Sequence, residues 1–492
     1  MRSSVVFQQR FYNGRAVVGA GLKPAPTKRA TIFKPICHVK ILVKHYTRFQ
    51  ASKPLAQLIL GGAILLATGL CLAAPVKKSL DRTEDFVLFT GEQAPAVIGS
   101  ETRDLHLYAC GPSGLRAIPF QVDKRDQESR YVFPDEKLRD PARDGTRLDA
   151  NDEMVFMVKD AGDQCPNLAW PEAAVKAEEI KLTDPNDSSA AWVYLFDRPG
   201  AKPPETQDYV SYRVENGQER IKTGQYEIGR NLAEVDLNFL RVQRPEGGWG
   251  PNLLNRTELN LQARLVNGAI PVQIPQQKIR CAVMGVIDGP VRVINDVVGY
   301  LKVESIGLDW STETFPSYYY NGHITPVEAK IPFTLPKVFL ELTFFWGFDF
   351  NENILGATFR DPANPRGIVL DGRPNPQLDT TRDNTYLVVN GPQGGIIYLV
   401  DYPPLLAQQM WRGTLVRESL ARPDSRKDHS AHLLVGFQTL GQHSLPKGTY
   451  NYRLCYYYPV PISDPKIGEI VNLIEHPLQV TARPLNPPTK GH

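Results

Sequence analysis

Three short stretches of this sequence hold the side chains that could do chemistry. In the first, DGTRLDANDEMVFMVKDAGD, Asp149, Asn151 and Glu153 recur at every second position. Oxygen donors so spaced suit calcium, and Asp149-x-Asn151-x-Glu153 repeats the opening alternation of a calcium loop. Met154 stands where such a loop needs glycine, so the competing reading is an acidic turn whose side chains cap backbone N–H groups. Calcium is the one cofactor the sequence brings into question. The second stretch supplies candidate ligand-binding residues: Trp310, Tyr318, Tyr319, Tyr320 and His323. Neighbours in an extended segment alternate between faces, so three consecutive tyrosines should turn at least one ring outward. An outward ring near Asp309 and Glu313 suits stacking on a sugar or an extended polymer; the bland alternative is tyrosines facing a core. The third stretch, His429 and His432, is weak: residues three apart on a strand face opposite ways, and no third ligand accompanies them.

Familiar catalytic signatures are missing. The chain after residue 73 has no G-x-S-x-G, no H-E-x-x-H, no P-loop and no dinucleotide fingerprint. If acid–base chemistry occurs, His323 with Glu313 or Glu341 is the candidate set. The sequence decides neither for nor against an enzyme.

The elements that must position these groups read as strands. DFVLF from Asp85, LHLYA from Leu105, IPFQVD from Ile118, EMVFMVK from Glu153 and AWVYLF from Ala191 are short, apolar and bounded by turn residues. Leu259 to Leu265 alternates apolar with polar, and Val338 to Phe350 keeps period two for thirteen residues, long for a strand. NGPQGG between Tyr386–Val389 and Ile396–Val400 predicts a hairpin. Only 405–412 and 467–473 read as helices. Of 41 prolines, 37 follow residue 73, which favours turns over helices. The expectation is an all-β protein of two β-sandwich-type domains behind an N-terminal export helix. RPGAKPPETQD, 198–208, marks the boundary, giving domains 74–207 and 208–492.

The uncharged run Leu55–Ala74 behind Lys53 has the basic flank, apolar core and small-residue end of a signal peptide cleaved after Ala73. The competing reading of 54–73 is a membrane anchor. Residues 1–53 hold eleven Lys and Arg and no acidic residue. They read as a disordered basic prelude or an extension from a misplaced start, with translation beginning near Val43. Removing the first 73 residues takes eleven of the 56 basic residues and none of the 53 acidic ones, leaving a formal charge of −8. That balance argues against nucleic acid as partner and leaves membrane contact to the N-terminal segment. Four cysteines then remain in an oxidising compartment, periplasmic, cell-surface or secreted. Cys110 and Cys165 lie in turn-like surroundings and form the better candidate disulfide, whereas Cys281 and Cys455 sit in strand-like runs.

VIDGPVRV, Val286 to Val293, resembles the G-P-V-R strand entry of galactose-mutarotase-like supersandwich proteins, which include carbohydrate epimerases and lyase-associated domains. The resemblance implies a β-sandwich and a carbohydrate ligand, and it assigns no catalytic residue. The expected function is an exported, non-catalytic β-sandwich module binding a saccharide or another envelope partner. The alternative is a carbohydrate-active enzyme of supersandwich type, epimerase- or lyase-like.

Overall fold

Period-two alternation becomes structure wherever one face of a strand meets a core. Phe339–Phe350 is a twelve-residue strand that pairs antiparallel with Leu254–Leu265 on one side and Leu433–Leu440 on the other. Phe348 and Phe350, two residues apart, enter the same core. Tyr386–Gly391 and Gly394–Asp401 close as a hairpin with Gly391 opposite Gly394. Gly394 has φ +110, and a Cβ there would lie 1.9 Å from Val242 Cγ2; only glycine meets both demands.

The computed structural model describes residues 76–134, 145–165, 168–232, 236–265, 270–274, 279–303, 308–331, 339–375, 378–380, 382–408, 410–418, 433–440 and 447–487. The segment expected to direct export, the basic prelude and the His429/His432 pair lie outside them. All the described residues belong to one compact unit, Ala74–His492. Its strands form antiparallel sheets stacked face to face, an all-β sandwich-type architecture.

In the smaller stack, the strands Phe86–Thr90, Glu153–Met157 and Gln121–Asp123 lie over a five-stranded sheet. That sheet runs Gln479–Leu485, Lys176–Thr183, Ala190–Asp197, Leu105–Gly111, Gly114–Ala117. Phe89, Met154 and Phe156 from one side meet Ile180, Leu182, Val193 and Leu195 from the other. The strand that follows the last helix thus returns to the first sheet. In the larger stack a ten-stranded sheet faces a five-stranded sheet centred on Phe339–Phe350 and a four-stranded meander, Val210–Glu215 to Leu237–Val242. Tyr318, Tyr398 and Tyr456 pack there with Phe348, Phe437, Tyr226 and Ile228. Glu153–Met157 serves both stacks: Met154 and Phe156 lie in the smaller core, Val155 and Met157 in the larger. Two covered faces explain why EMVFM shows no apolar–polar alternation.

The outer face of the ten-stranded sheet is covered by the helix Asp464–Glu475. Ile467, Ile470 and Leu473 recur at helical spacing and pack on Val388, Ile397, Cys455 and Tyr457. The helix is longer than the apolar pattern 467–473 indicates, because Ser463 caps the N–H of Lys466 and Pro465 fits the first turn. The expected helix at 405–412 contracts to Pro404–Ala407, since Trp411–Glu418 is taken up as a strand against Leu433–Leu440. Cys110 and Cys165 are joined by a disulfide, and Cys281 and Cys455 are free thiols. Among the described residues no helix is long and apolar enough to cross a membrane.

Candidate functional site

Placement of the aromatic stretch follows from the double stack. Tyr318 is 1% and Tyr319 3% exposed, so neither ring of this adjacent pair turns to solvent, because both faces of Ser317–Tyr319 are covered. Tyr318 OH accepts from Arg230 and Tyr319 OH from Arg292, each at 3.0 Å. Tyr320 is the partly exposed member; the Lys159 ammonium sits 3.3 Å from its ring centroid, with Tyr209 edge-on at 5.3 Å. His323 is enclosed between the rings of Tyr318 and Tyr456, with Nδ1 3.2 Å from Tyr458 OH. Burial first, then the Arg230 charge, pushes its pKa down to about 3. A neutral imidazole sealed at 2% exposure cannot meet a substrate, which opposes the acid–base role raised for it. Trp310 lies in the strand Leu308–Thr314 opposite Leu301; its side chain, like that of Glu341, lies outside the described residues. Glu313 is half-buried.

The candidate calcium residues do not converge. Glu153 Oε2 accepts from Arg292 and from Tyr131 OH, each at 2.7 Å, and its Oε1 is paired with Arg125. With both oxygens committed to guanidinium groups, this carboxylate has nothing to offer a cation. Asn151 donates to the Asp126 carbonyl, and Asp149 is turned outward toward Lys124 at 3.5 Å. The metal reading is therefore corrected to a turn: Asp152 caps the N–H of Asp149 and Arg125. Among the described residues no three His, Cys, Asp or Glu form a metal-holding group.

What Glu153 joins is a buried polar hub. Arg292, 1% exposed, also reaches Asp123 Oδ2 through Nε at 2.8 Å and through a terminal nitrogen at 2.7 Å. Gln121 Oε1 receives the N–H groups of Val291 and Arg292. Arg292 is the arginine of the G-P-V-R entry, and it fastens the ten-stranded sheet to the small three-stranded one. Burial works against the charge on Glu153, but Arg292 and Arg125 together hold its carboxyl below the usual range. For Asp123 burial prevails over the same arginine, and its pKa is raised.

A concavity of about 380 Å³ opens between the helix Asp464–Glu475 and the outer face of the large sheet. Val388 and Ile467 form apolar lining, and Tyr386, half-buried, adds an aromatic wall. Around them stand Arg360, Asp464, Asn472 and Glu475. Arg360 reaches from the strand Thr358–Arg360 to Asp464 in the first helical turn at 2.8 Å. Asn472 accepts from Asn186 at 2.9 Å, which leaves its own NH₂ as a donor. Burial, with Asp361 and Asp464 adding and Arg360 opposing, raises the Tyr386 pKa and keeps the phenol a hydrogen-bond donor. Asp361, also on the lining, accepts from Asn364, Thr414 and Asn384. Both its oxygens are engaged, so it is a structural acceptor rather than a base or nucleophile. A size in the range of small-ligand sites, apolar lining and a few convergent polar groups make it a candidate binding cleft. Its residues come from three separate segments, 360–365, 386–388 and 464–475, in no shared motif, so only the fold brings them together.

No protein-family model matches the chain, and no curated protein matches it. Among solved structures, an alpha-mannosidase from Enterococcus faecalis aligns over 84% of this chain and 46% of its own length, with 9% identity and a TM-score of 0.42.

Proposed function

We propose that this protein is a non-catalytic binding module for a saccharide, held in the cleft beside Tyr386. The carrying observation is the composition of that cleft: one tyrosine ring over aliphatic lining, flanked by Arg360, Asp464, Asn472 and Glu475. Mixed donors and acceptors around one aromatic ring match the hydroxyl groups and apolar face of a sugar. The pairing of Arg360 with Asp464 and the full commitment of Asp361 engage two of the three carboxylates on the cleft, which favours binding over turnover. The resemblance of VIDGPVRV to supersandwich proteins fits a carbohydrate ligand, and export would place the module where envelope or extracellular glycans are met.

A glycan array followed by titration calorimetry tests this. The Tyr386→Ala protein should lose at least tenfold in affinity for an array-selected oligosaccharide, equivalent to about 1.4 kcal/mol, while melting as a folded protein. Binding unchanged by Tyr386→Ala would remove the cleft from the account.

A further inference from the structure

The outward face of the four-stranded meander carries a second, differently charged surface. Antiparallel register puts Glu227 between Lys222 and Arg241, and Gly229 between Arg220 and Phe239. Arg213 stands beside Arg220 on the next strand. Because Gly229 has no side chain, Arg220 lies across it: a Cβ there would come within 2.8 Å of an Arg220 terminal nitrogen. The guanidinium reaches 4.3 Å from the Phe239 ring centroid. Arg241 lies 4.9 Å and Lys222 5.6 Å from the Trp249 ring. Rings and cations thus alternate across the face. The rings act as platforms that order the guanidinium groups, and Arg241 is fixed further by giving Nε and a terminal nitrogen to Glu227, so little side-chain entropy is left to lose.

Charge on this face is not balanced. Glu227, 2% exposed, takes Arg241 and, at 3.4 Å, Arg213. Glu215 meets Arg213 only at 3.8 Å on the exposed edge. Arg220 bonds the Glu219 carbonyl at 2.7 Å and Gln218 at 3.5 Å, and among the described residues it has no carboxylate partner. Burial holds the Arg220 pKa below its ordinary value, with Arg213 and Arg241 adding to the effect and Glu227 opposing it. An arriving anion would relieve that crowding.

We propose that this face binds a linear acidic polysaccharide with one carboxylate on each of successive sugars, through the guanidinium groups of Arg220 and Arg241 and the ammonium of Lys222. A carboxylate is planar and matches an arginine fork by two parallel hydrogen bonds. Arg220 and Lys222 stand about 6.8 Å apart along one strand, and Arg241 lies across Glu227 from Lys222, two strands or about 9.6 Å away, close enough for nearby units of one chain to be held together. Nucleic acid is a poorer fit. Its charge recurs about every 1.7 Å of duplex, and the −8 carried by residues 74–492 repels so dense a polyanion around so small a patch. The surface is separate in sequence and chemistry from the Tyr386 cleft, and either can fail without the other.

The test titrates the full chain with polygalacturonate oligomers, with their methyl esters and with single-stranded DNA, at low and at raised salt. Binding of the free acid that weakens with salt, no binding of the ester or the DNA, and a loss of tenfold or more in Arg220→Gln/Lys222→Gln support the proposal. Arg220→Lys, which keeps the charge and loses the fork, should fall between. Thermal melts confirm that each variant is folded. Equal binding of the methyl ester, tighter binding of DNA, no binding of the free acid, or affinity lost in Tyr386→Ala but kept in Arg220→Gln/Lys222→Gln overturns it.

Discussion

Replacing Arg292 by alanine should cost the protein about 3–5 kcal/mol, because it removes one side of a buried, hydrogen-bonded ion cluster. Arg292 gives Asp123 two bonds of 2.8 and 2.7 Å, Glu153 one of 2.7 Å and Tyr319 one of 3.0 Å. The partners are not equally exposed to its loss. Glu153 keeps Arg125 and Tyr131, whereas Asp123, 1% exposed, keeps among the described residues only the Gln121 amide. The orphan is therefore Asp123, and its only escape is to take a proton. Burial already raises its pKa against the pull of Arg292, and without the arginine it rises further. An acid whose folded pKa lies above its unfolded value of about 3.9 favours the folded state below that value. The advantage is lost as pH rises through the folded pKa. The deficit of Arg292→Ala should accordingly be largest near pH 7 and shrink toward pH 4. Denaturant unfolding at several pH values reads this directly, with Lys77→Ala as the control. Lys77 is 69% exposed in its pair with Asp163, and such pairs contribute under about 1 kcal/mol. An Arg292→Ala deficit no larger than the control's, or one independent of pH, would refute the reasoning.

Three further outcomes follow from the same structure. Breaking Cys110–Cys165, which closes a separation of 55 residues, should cost up to about 4 kcal/mol by loop-closure entropy, measured as the denaturation midpoint of the double Cys→Ser variant. His323, ordinarily near 6.5 and held at about 3 when folded, contributes stability that is present above pH 6.5 and lost as pH falls toward 3. His323→Gln should flatten that limb of the stability–pH curve, and an unchanged limb would mean the imidazole is not sealed. Tyr318→Ala should lose about 3–5 kcal/mol, as for a fully buried aromatic, whereas Tyr320→Ala, at the half-exposed position, should lose clearly less.

Much of the architecture was legible because period two is a local signal. Phe339–Phe350, the Tyr386–Asp401 hairpin and the second half of the strand Leu254–Leu265, from Leu259 on, each announce themselves in a short run of residues. Glu153 shows where local reading stops. Its spacing from Asp149 and Asn151 imitates a calcium loop, but Arg292, 139 residues on, reaches it only through sheet stacking. Tyr318 and Tyr319 show the same limit from the other side: alternation sends neighbours to opposite faces, yet cannot say that both faces are covered. The basic face was readable in principle. Arg220 and Lys222, then Phe239 and Arg241, stand at i and i+2 on short strands, a polar-face pattern that only the register turns into one surface. The Tyr386 cleft had no such signal, since its walls come from a hairpin strand, a three-residue strand and a helix.

The most direct test of the central claim is a crystal structure of the protein with an array-selected oligosaccharide, paired with mass analysis of that sugar after prolonged incubation. The account predicts intact sugar, seated against Tyr386 with hydrogen bonds to Asn472 and to the Arg360–Asp464 pair. Sugar bound elsewhere, or recovered cleaved or epimerised, would contradict it.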